Sequence, residues 1–278
     1  MSWIQKLHET YERCAGLPQF TSNPLLPISH TTQQAHIEIV IDGFGNFRRA
    51  NVISKEVQTT LVPCTEESGG RAGIKPKNHP LCDKLQYVAD DYRRLGGEVT
   101  VGFAKEEEEP HRSYLKDLEA WGASPYGHPK VAAVLTYVRK RHVVHDLVRE
   151  GLLPLDSQGK LLKKWDRDKK DVPAIFKVMP AGSSPEDAFI RWRIEIPNDP
   201  QSAIWEDKEV MDAWIGYYAS QQTKHGLCMV TGKETILAAQ HPAKLRNAGD
   251  KAKLISSNDI GGYTFRGRFI DADQACGV

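Results

Sequence analysis

The residues between Glu66 and Pro80 carry the strongest chemical signal in the sequence. The run reads EESGGRAGIKPKNHP, with Gly69, Gly70 and Gly73 falling within five positions. Glycine leaves the main chain free to adopt positive φ and lets it approach a ligand closely. Arg71, Lys75 and Lys77 put cations on the same stretch, and Asn78 adds a group that can both donate and accept. His79 follows directly. Close backbone approach combined with cations suits a phosphate backbone or a narrow nucleic-acid groove. No Gly-Lys-Ser/Thr ending is present, so the run is not a P-loop. The same residues also suit an ordinary surface loop.

A second run of this kind lies near the end of the sequence. From Pro242 to Arg268 there are six cations, including Lys244, Arg246, Arg266 and Arg268, against two acids. Asn258 and Tyr263 sit among them. Arginine suits bidentate phosphate contact, asparagine can address base edges and tyrosine can stack on bases. A hairpin with ordinary turn glycines would read the same way.

Other candidates carry less. Cys228 and His241 could suggest metal or thiol chemistry, but neither stands in a paired motif and a metal site needs three or four ligands. Cys228 reads instead as a buried structural thiol. His142 and His145 share a helical face with apolar residues, which suits two partly buried histidines, and no metal site is expected. The sequence holds no HExxH, no dinucleotide fingerprint, no nucleophile triad and no paired-carboxylate signature. These absences lower the prior for an enzyme. A hydrolase using His79, His241 or Cys228 stays as the alternative, beside a purely architectural subunit. No cofactor is expected.

Composition sets the frame for these sites. The chain has 278 residues, enough for one or two domains with a real core. Its 37 basic and 36 acidic residues nearly cancel, so net charge names no partner. The signs are segregated, however. Besides the run near the end, Lys160 to Lys170 carries six cations against two acids, while Glu106 to Glu109 is an unbroken acidic run. That distribution fits a basic face on a neutral protein. Five cysteines without a Cys-x-x-Cys pair read as free thiols in a reducing cytoplasm. No stretch has the pattern of a signal peptide or a membrane span, so a soluble protein is expected.

Periodicity gives the elements that must position the sites. Ser2 to Cys14 has the spacing of an amphipathic helix. Ala35 to Ile41 alternates as a half-buried strand, and Asp42-Gly43-Phe44-Gly45-Asn46 is a turn into a second strand from Phe47 to Ile53. Thr60 to Val62 suggests another short strand. Helical spacing runs from Leu81 to Leu95 and from Val131 to His145. Phe176 to Val178 and Phe189 to Ile196 read as extended, and Glu206 to Gln221 as a helix. The mixture without regular β-α-β alternation predicts an α+β fold with a mixed, largely antiparallel sheet and packed helices. A sub-boundary is expected near residues 150–172. Arg266 to Ile270 reads as a strand with more to follow.

Taken in order, these pieces resemble one known family. The opening Trp3-Ile4-Gln5-Lys6-Leu7 with Tyr11, the block LVPCTEESGGRAGIKPKNHPLCDKLQYVADDY, then CMVTGKE with HPAKL, and finally AKLISSNDIGGYTFRGRF are similar to the large subunit of the type I-C CRISPR surveillance complex, Cascade. Members of that family are about twice this length, with a C-terminal helical bundle. The resemblance therefore implies an N-terminal, DNA-motif-sensing region spanning 1–278 of a longer protein. It implies double-stranded target DNA as the ligand, recognised at the protospacer-adjacent motif, and a part in starting the R-loop. It also implies other Cascade subunits as neighbours, indirect proximity to the guide RNA's 5′ end and a recruited helicase-nuclease. Phage inhibitors that mimic DNA are a further expected partner class. Carried onto this chain, Gly69, Gly70 and Gly73 would let the main chain into a groove. Asn78, beside His79, would meet base edges, and Arg71, Lys75 and Lys77 would meet phosphates. Lys244, Arg246, Arg266 and Arg268 would form a second clamp, with Asn258 and Tyr263 near the point of strand opening.

Overall fold

The protein is described by a computed structural model covering residues 3–14, 25–71, 73–165, 169–180, 182–228 and 230–238. The chain divides into two compact units, Thr31–Tyr217 and a second made of Met1–His30 with Tyr218–Val278. The architecture is α+β.

The larger unit is built on a three-stranded sheet. Strands β2 (Ile37–Asp42) and β3 (Phe47–Val52) form the expected hairpin. Asp42 sets the turn by accepting the N–H groups of Phe44 and Asn46 at 2.9 and 2.8 Å. Gly45 sits there at φ 71°, and a Cβ on it would lie 2.6 Å from the Ala133 carbonyl, so only glycine fits. On the other side β2 pairs in parallel with β5 (Ile190–Glu195), giving the order β3-β2-β5. The sheet is thus mixed, antiparallel on one side and parallel on the other.

Register decides the faces. Ile37 lies beside Ile190, Ile39 beside Trp192 and Ile41 beside Ile194, and all six are fully buried. This is the period-two alternation read from the sequence, with two strands contributing to one apolar face. On the opposite face Glu38 pairs with Arg191 and Arg193 at 2.9 and 3.1 Å, and the Arg191 guanidinium lies 3.8 Å from the centre of the Trp205 ring. A further two-stranded sheet joins β1 (His30–Gln34) to β4 (Thr59–Pro63).

Helices cover the sheet. After β4 come two short helices, α2 (Glu66–Gly70) and α3 (Leu85–Val88), and then α4 (Glu109–Gly122), α5 (Pro129–Val138), α6 (Val143–Arg149) and α7 (Ala174–Val178). Pro110, Tyr114, Leu118 and Trp121 form the buried stripe of α4 at helical spacing. Helix α8 (Lys208–Ser220) buries Trp214, whose ring meets Trp121 at 5.1 Å and whose indole N–H donates to the Cys64 carbonyl at 3.3 Å. Trp192 and Tyr114 both donate to the Leu81 carbonyl, at 2.9 and 2.7 Å, tying sheet and α4 to the segment after the glycine-rich run.

Three local expectations are corrected. The Leu81–Leu95 spacing gives only α3 and a 3₁₀ turn at Asp90–Tyr92. Ala89 between them is extended, and the buried Asp91 leaves the helix to accept the N–H groups of Val144 and His145. The Val131–His145 stretch is two helices, because Arg141 adopts φ 62°. Phe176 to Val178 is not extended but lies in α7.

In the smaller unit, α1 (Trp3–Cys14) forms as its periodicity predicts, and Tyr11 donates to the Leu26 carbonyl at 2.9 Å. Strands β6 (His225–Leu227) and β7 (Glu234–Ile236) form an antiparallel hairpin. Cys228 closes its turn: its thiol sulfur accepts the N–H groups of Val230 and Thr231, both at 3.4 Å.

Candidate nucleic-acid interface

The glycine-rich run is an ordered structure with two anchored ends and an exposed tip. It begins with a capping box, in which Thr65 Oγ1 accepts the Ser68 N–H at 3.1 Å and Ser68 Oγ accepts the Thr65 N–H at 2.9 Å. Gly69 and Gly70 complete α2 and have no positive φ. The left-handed cap falls on Arg71, at φ 39° and ψ 46°. Of the three glycines only Gly73 uses the freedom expected of it, at φ 97°.

Arg71 points inward. Its guanidinium pairs with Asp83 and lies 5.2 Å over the Tyr87 ring. Asp83 is fully buried and also accepts the N–H groups of His79 and Lys84, at 2.7 and 2.6 Å. Burial pushes the Asp83 carboxyl above its ordinary value, and Arg71 opposes that push. Tyr87 then donates its hydroxyl to the Pro76 carbonyl at 2.7 Å. One buried acid thus ties both limbs of the loop together.

Between those limbs the chain emerges. Gly73, Ile74 and Lys75 are exposed, Ile74 at 79%. Gly102, in a 3₁₀ turn at Val101–Phe103, backs directly onto the Ile74 main chain. Lys75 pairs with Glu109 and lies 5.8 Å over the Phe103 ring. Glu109 holds the lysine in its charged form, raising its pKa. Lys77 stands 3.2 Å from Asp117. Asn78 and His79 are buried. The Asn78 amide donates to Asp117 at 3.0 Å, while its Oδ1 has no hydrogen-bond partner among the described residues.

The expected site residues therefore separate into two groups. Gly69, Gly70, Gly73, Lys75 and Lys77 are at or near the surface. Arg71, Asn78 and His79 lie underneath and give the loop its shape, with Arg71 paired to Asp83 and the Asn78 amide donating to Asp117. Lys244, Arg246, Asn258, Tyr263, Arg266, Arg268 and His241 lie outside the described residues.

Sequence reasoning missed Asp83, Tyr87, Glu109 and Asp117. The acidic run is no free tail: Glu106 pairs with Arg112, Glu107 with Arg93 and Glu109 with Lys75. A signal was present, because acids followed by Pro110 and then Tyr114, Leu118 and Trp121 at helical spacing mark a helix N-terminus.

The family described as CRISPR-associated protein (Cas_Csd1) matches residues 7–278. The chain belongs to that family. Cas_Csd1 is the family of the type I-C Cascade large subunit, so this chain is a CRISPR-associated subunit of a multi-protein complex. Among curated proteins none matches the chain. Within the Cas_Csd1 chain, no helix among the described residues is long and apolar enough to cross a membrane.

Proposed function

We propose that this Cas_Csd1 chain reads the protospacer-adjacent motif on double-stranded DNA and helps to start the R-loop, without catalysis of its own. The observation that carries this reading is the rigidly anchored loop tip, Gly73-Ile74-Lys75, presented to solvent with Lys77 beside it. A tip of this kind can meet a groove through its main chain while its lysines meet phosphates. Sequence along the rest of the target is read by guide pairing, and the protein reads shape and the short motif. The partners in this reading are duplex DNA, the other Cascade subunits, the guide RNA's 5′ end indirectly and a helicase-nuclease recruited in the cytoplasm. DNA-mimicking phage inhibitors would address the same surface. Lys244, Arg246, Asn258, Tyr263, Arg266 and Arg268 make up the second contact.

A hydrolase centred on His79 or Cys228 has less support, since both side chains are buried. A purely architectural role is favoured by one observation: every cation of the glycine-rich run is already paired with an acid. Duplex binding by the assembled complex separates the two. Lys75→Ala and Lys77→Ala should each weaken binding and reduce the salt slope by about one. Unchanged binding with intact assembly would leave the architectural role.

A further inference from the structure

The lysines at the loop tip are occupied by acids from a single helix. Glu109 opens α4 and holds Lys75, and Asp117, two turns further along, holds Lys77. Both pairs are open to water. The lysine side chains are 46% and 38% exposed, whereas Arg71 is 17% exposed over an acid that is wholly sealed. Exposed ion pairs contribute little to stability and exchange readily, while a sealed pair is costly to break. To an ammonium group, a carboxylate and a phosphodiester present the same thing, an anionic oxygen acceptor.

We infer that Glu109 and Asp117 are internal stand-ins for DNA phosphates, which duplex must displace from Lys75 and Lys77 in order to bind. The inference rests on reading the loop as the duplex-contacting element. A ligand that presents two phosphates at the lysines' spacing replaces both acids, and a single small anion replaces at most one. The arrangement therefore lowers non-specific affinity for anions while leaving the lysines oriented, the repulsive half of a specificity device.

The test is duplex binding by the assembled complex containing the full chain, followed by fluorescence anisotropy over a series of salt concentrations. Glu109→Gln combined with Asp117→Asn should tighten binding about three- to tenfold, the sum of two exposed pairs. The salt slope should stay unchanged, because the number of phosphates met is the same. Asparagine at 117 can still accept from Asn78, and thermal unfolding checks the fold. Should Asp117→Asn disturb it, Glu109→Gln alone should give about a twofold gain. Asp212→Asn serves as control, since Asp212 pairs with Lys208 inside its own helix and removes one negative charge without freeing a loop lysine. Binding no tighter in the Glu109 and Asp117 variants, or tightened equally by Asp212→Asn, overturns the inference. If Lys75→Ala with Lys77→Ala weakens binding while the acid changes do nothing, the loop reading stands and the masking falls. If the lysine changes are themselves silent, both fall.

Discussion

The guanidinium of Arg71 closes over the carboxylate of Asp83, and this pair fixes the shape of the whole glycine-rich run. Asp83 has no exposed surface and takes two further N–H groups, from His79 and Lys84. Removing one partner of a buried pair leaves the other charge uncompensated, at about 3–5 kcal/mol. Arg71→Ala should therefore lower stability by about 3 kcal/mol in urea denaturation. Arg71→Lys should recover only part of that, because an ammonium cannot match the planar stacking over Tyr87. A loss of DNA binding in Arg71→Ala would follow from the lost loop shape. A stability change below about 0.5 kcal/mol, the range of ordinary surface substitutions, would contradict this account.

Acid sensitivity above the carboxylate range should come from buried histidines. Burial and the nearby Lys84 lower the His36 pKa from 6.5 to about 4, with Asp187 opposing, and His36 Nδ1 accepts the Phe189 N–H at 3.0 Å. Well above pH 6.5 the ring is neutral in both states and its contribution is complete. As pH falls, the unfolded chain takes up the proton first, so stability is lost between 6.5 and about 4, by on the order of 3 kcal/mol. His111 and His128 are lowered by burial too and add in the same direction. Urea midpoints at about pH 7, 6 and 5 should fall steadily in the natural protein and fall less in His36→Asn, whose carbonyl can still accept the Phe189 N–H. Parallel curves for the two proteins would exclude His36 as a source.

The sheet hairpin and α8 were legible because their apolar spacing agrees with their final burial: Ile37, Ile39 and Ile41 alternate, and Val210 and Trp214 lie one turn apart. Helix α1 was legible from its spacing alone, since Trp3 and Leu7 stay exposed. The parallel pairing of Ile37 with Ile190 was not legible, since nothing local couples positions so far apart in the chain. Helix α4 was legible in the spacing of Pro110, Tyr114, Leu118 and Trp121, but the partners of the acids at its start, Lys75, Arg93 and Arg112, are known only once the chain has folded. At the candidate site the residue types were legible but their directions were not. Side-chain type puts Arg71, Lys75 and Lys77 in one class, and only the position of the buried Asp83 turns the first inward.

Cys82 should be chemically silent in the folded protein. Its side chain is 1% exposed, and burial pushes its thiol up to about 12, with an N–H from Trp192 opposing. Thiolate is the reactive form, so almost none is present near neutral pH. Iodoacetamide labelling followed by mass spectrometry should leave Cys82 unmodified in buffer and modify it fully in urea, while the less buried Cys14 reacts without denaturant. Labelling of Cys82 at the rate of Cys14 would show that the segment from Leu81 to Leu85 opens freely.

Gly102 offers a way to move the loop tip without touching a charge. A Cβ at that position would lie 2.0 Å from the Ile74 carbonyl oxygen and 2.6 Å from its carbon, both main-chain atoms that cannot rotate aside. Gly102→Ala should therefore displace Ile74 and Lys75, at about 1–3 kcal/mol of stability from overpacking. It should also weaken duplex binding by the assembled complex by at least as much as Lys75→Ala. Gly70→Ala is the matched comparison, because nothing among the described residues lies within 4 Å of a Cβ there. Its stability should stay within about 0.5 kcal/mol of the natural protein, the range of ordinary surface changes. Any loss of binding in Gly70→Ala would then mark close approach of DNA to that main chain. Should Gly102→Ala bind duplex normally despite the displaced tip, the tip is not where DNA is met.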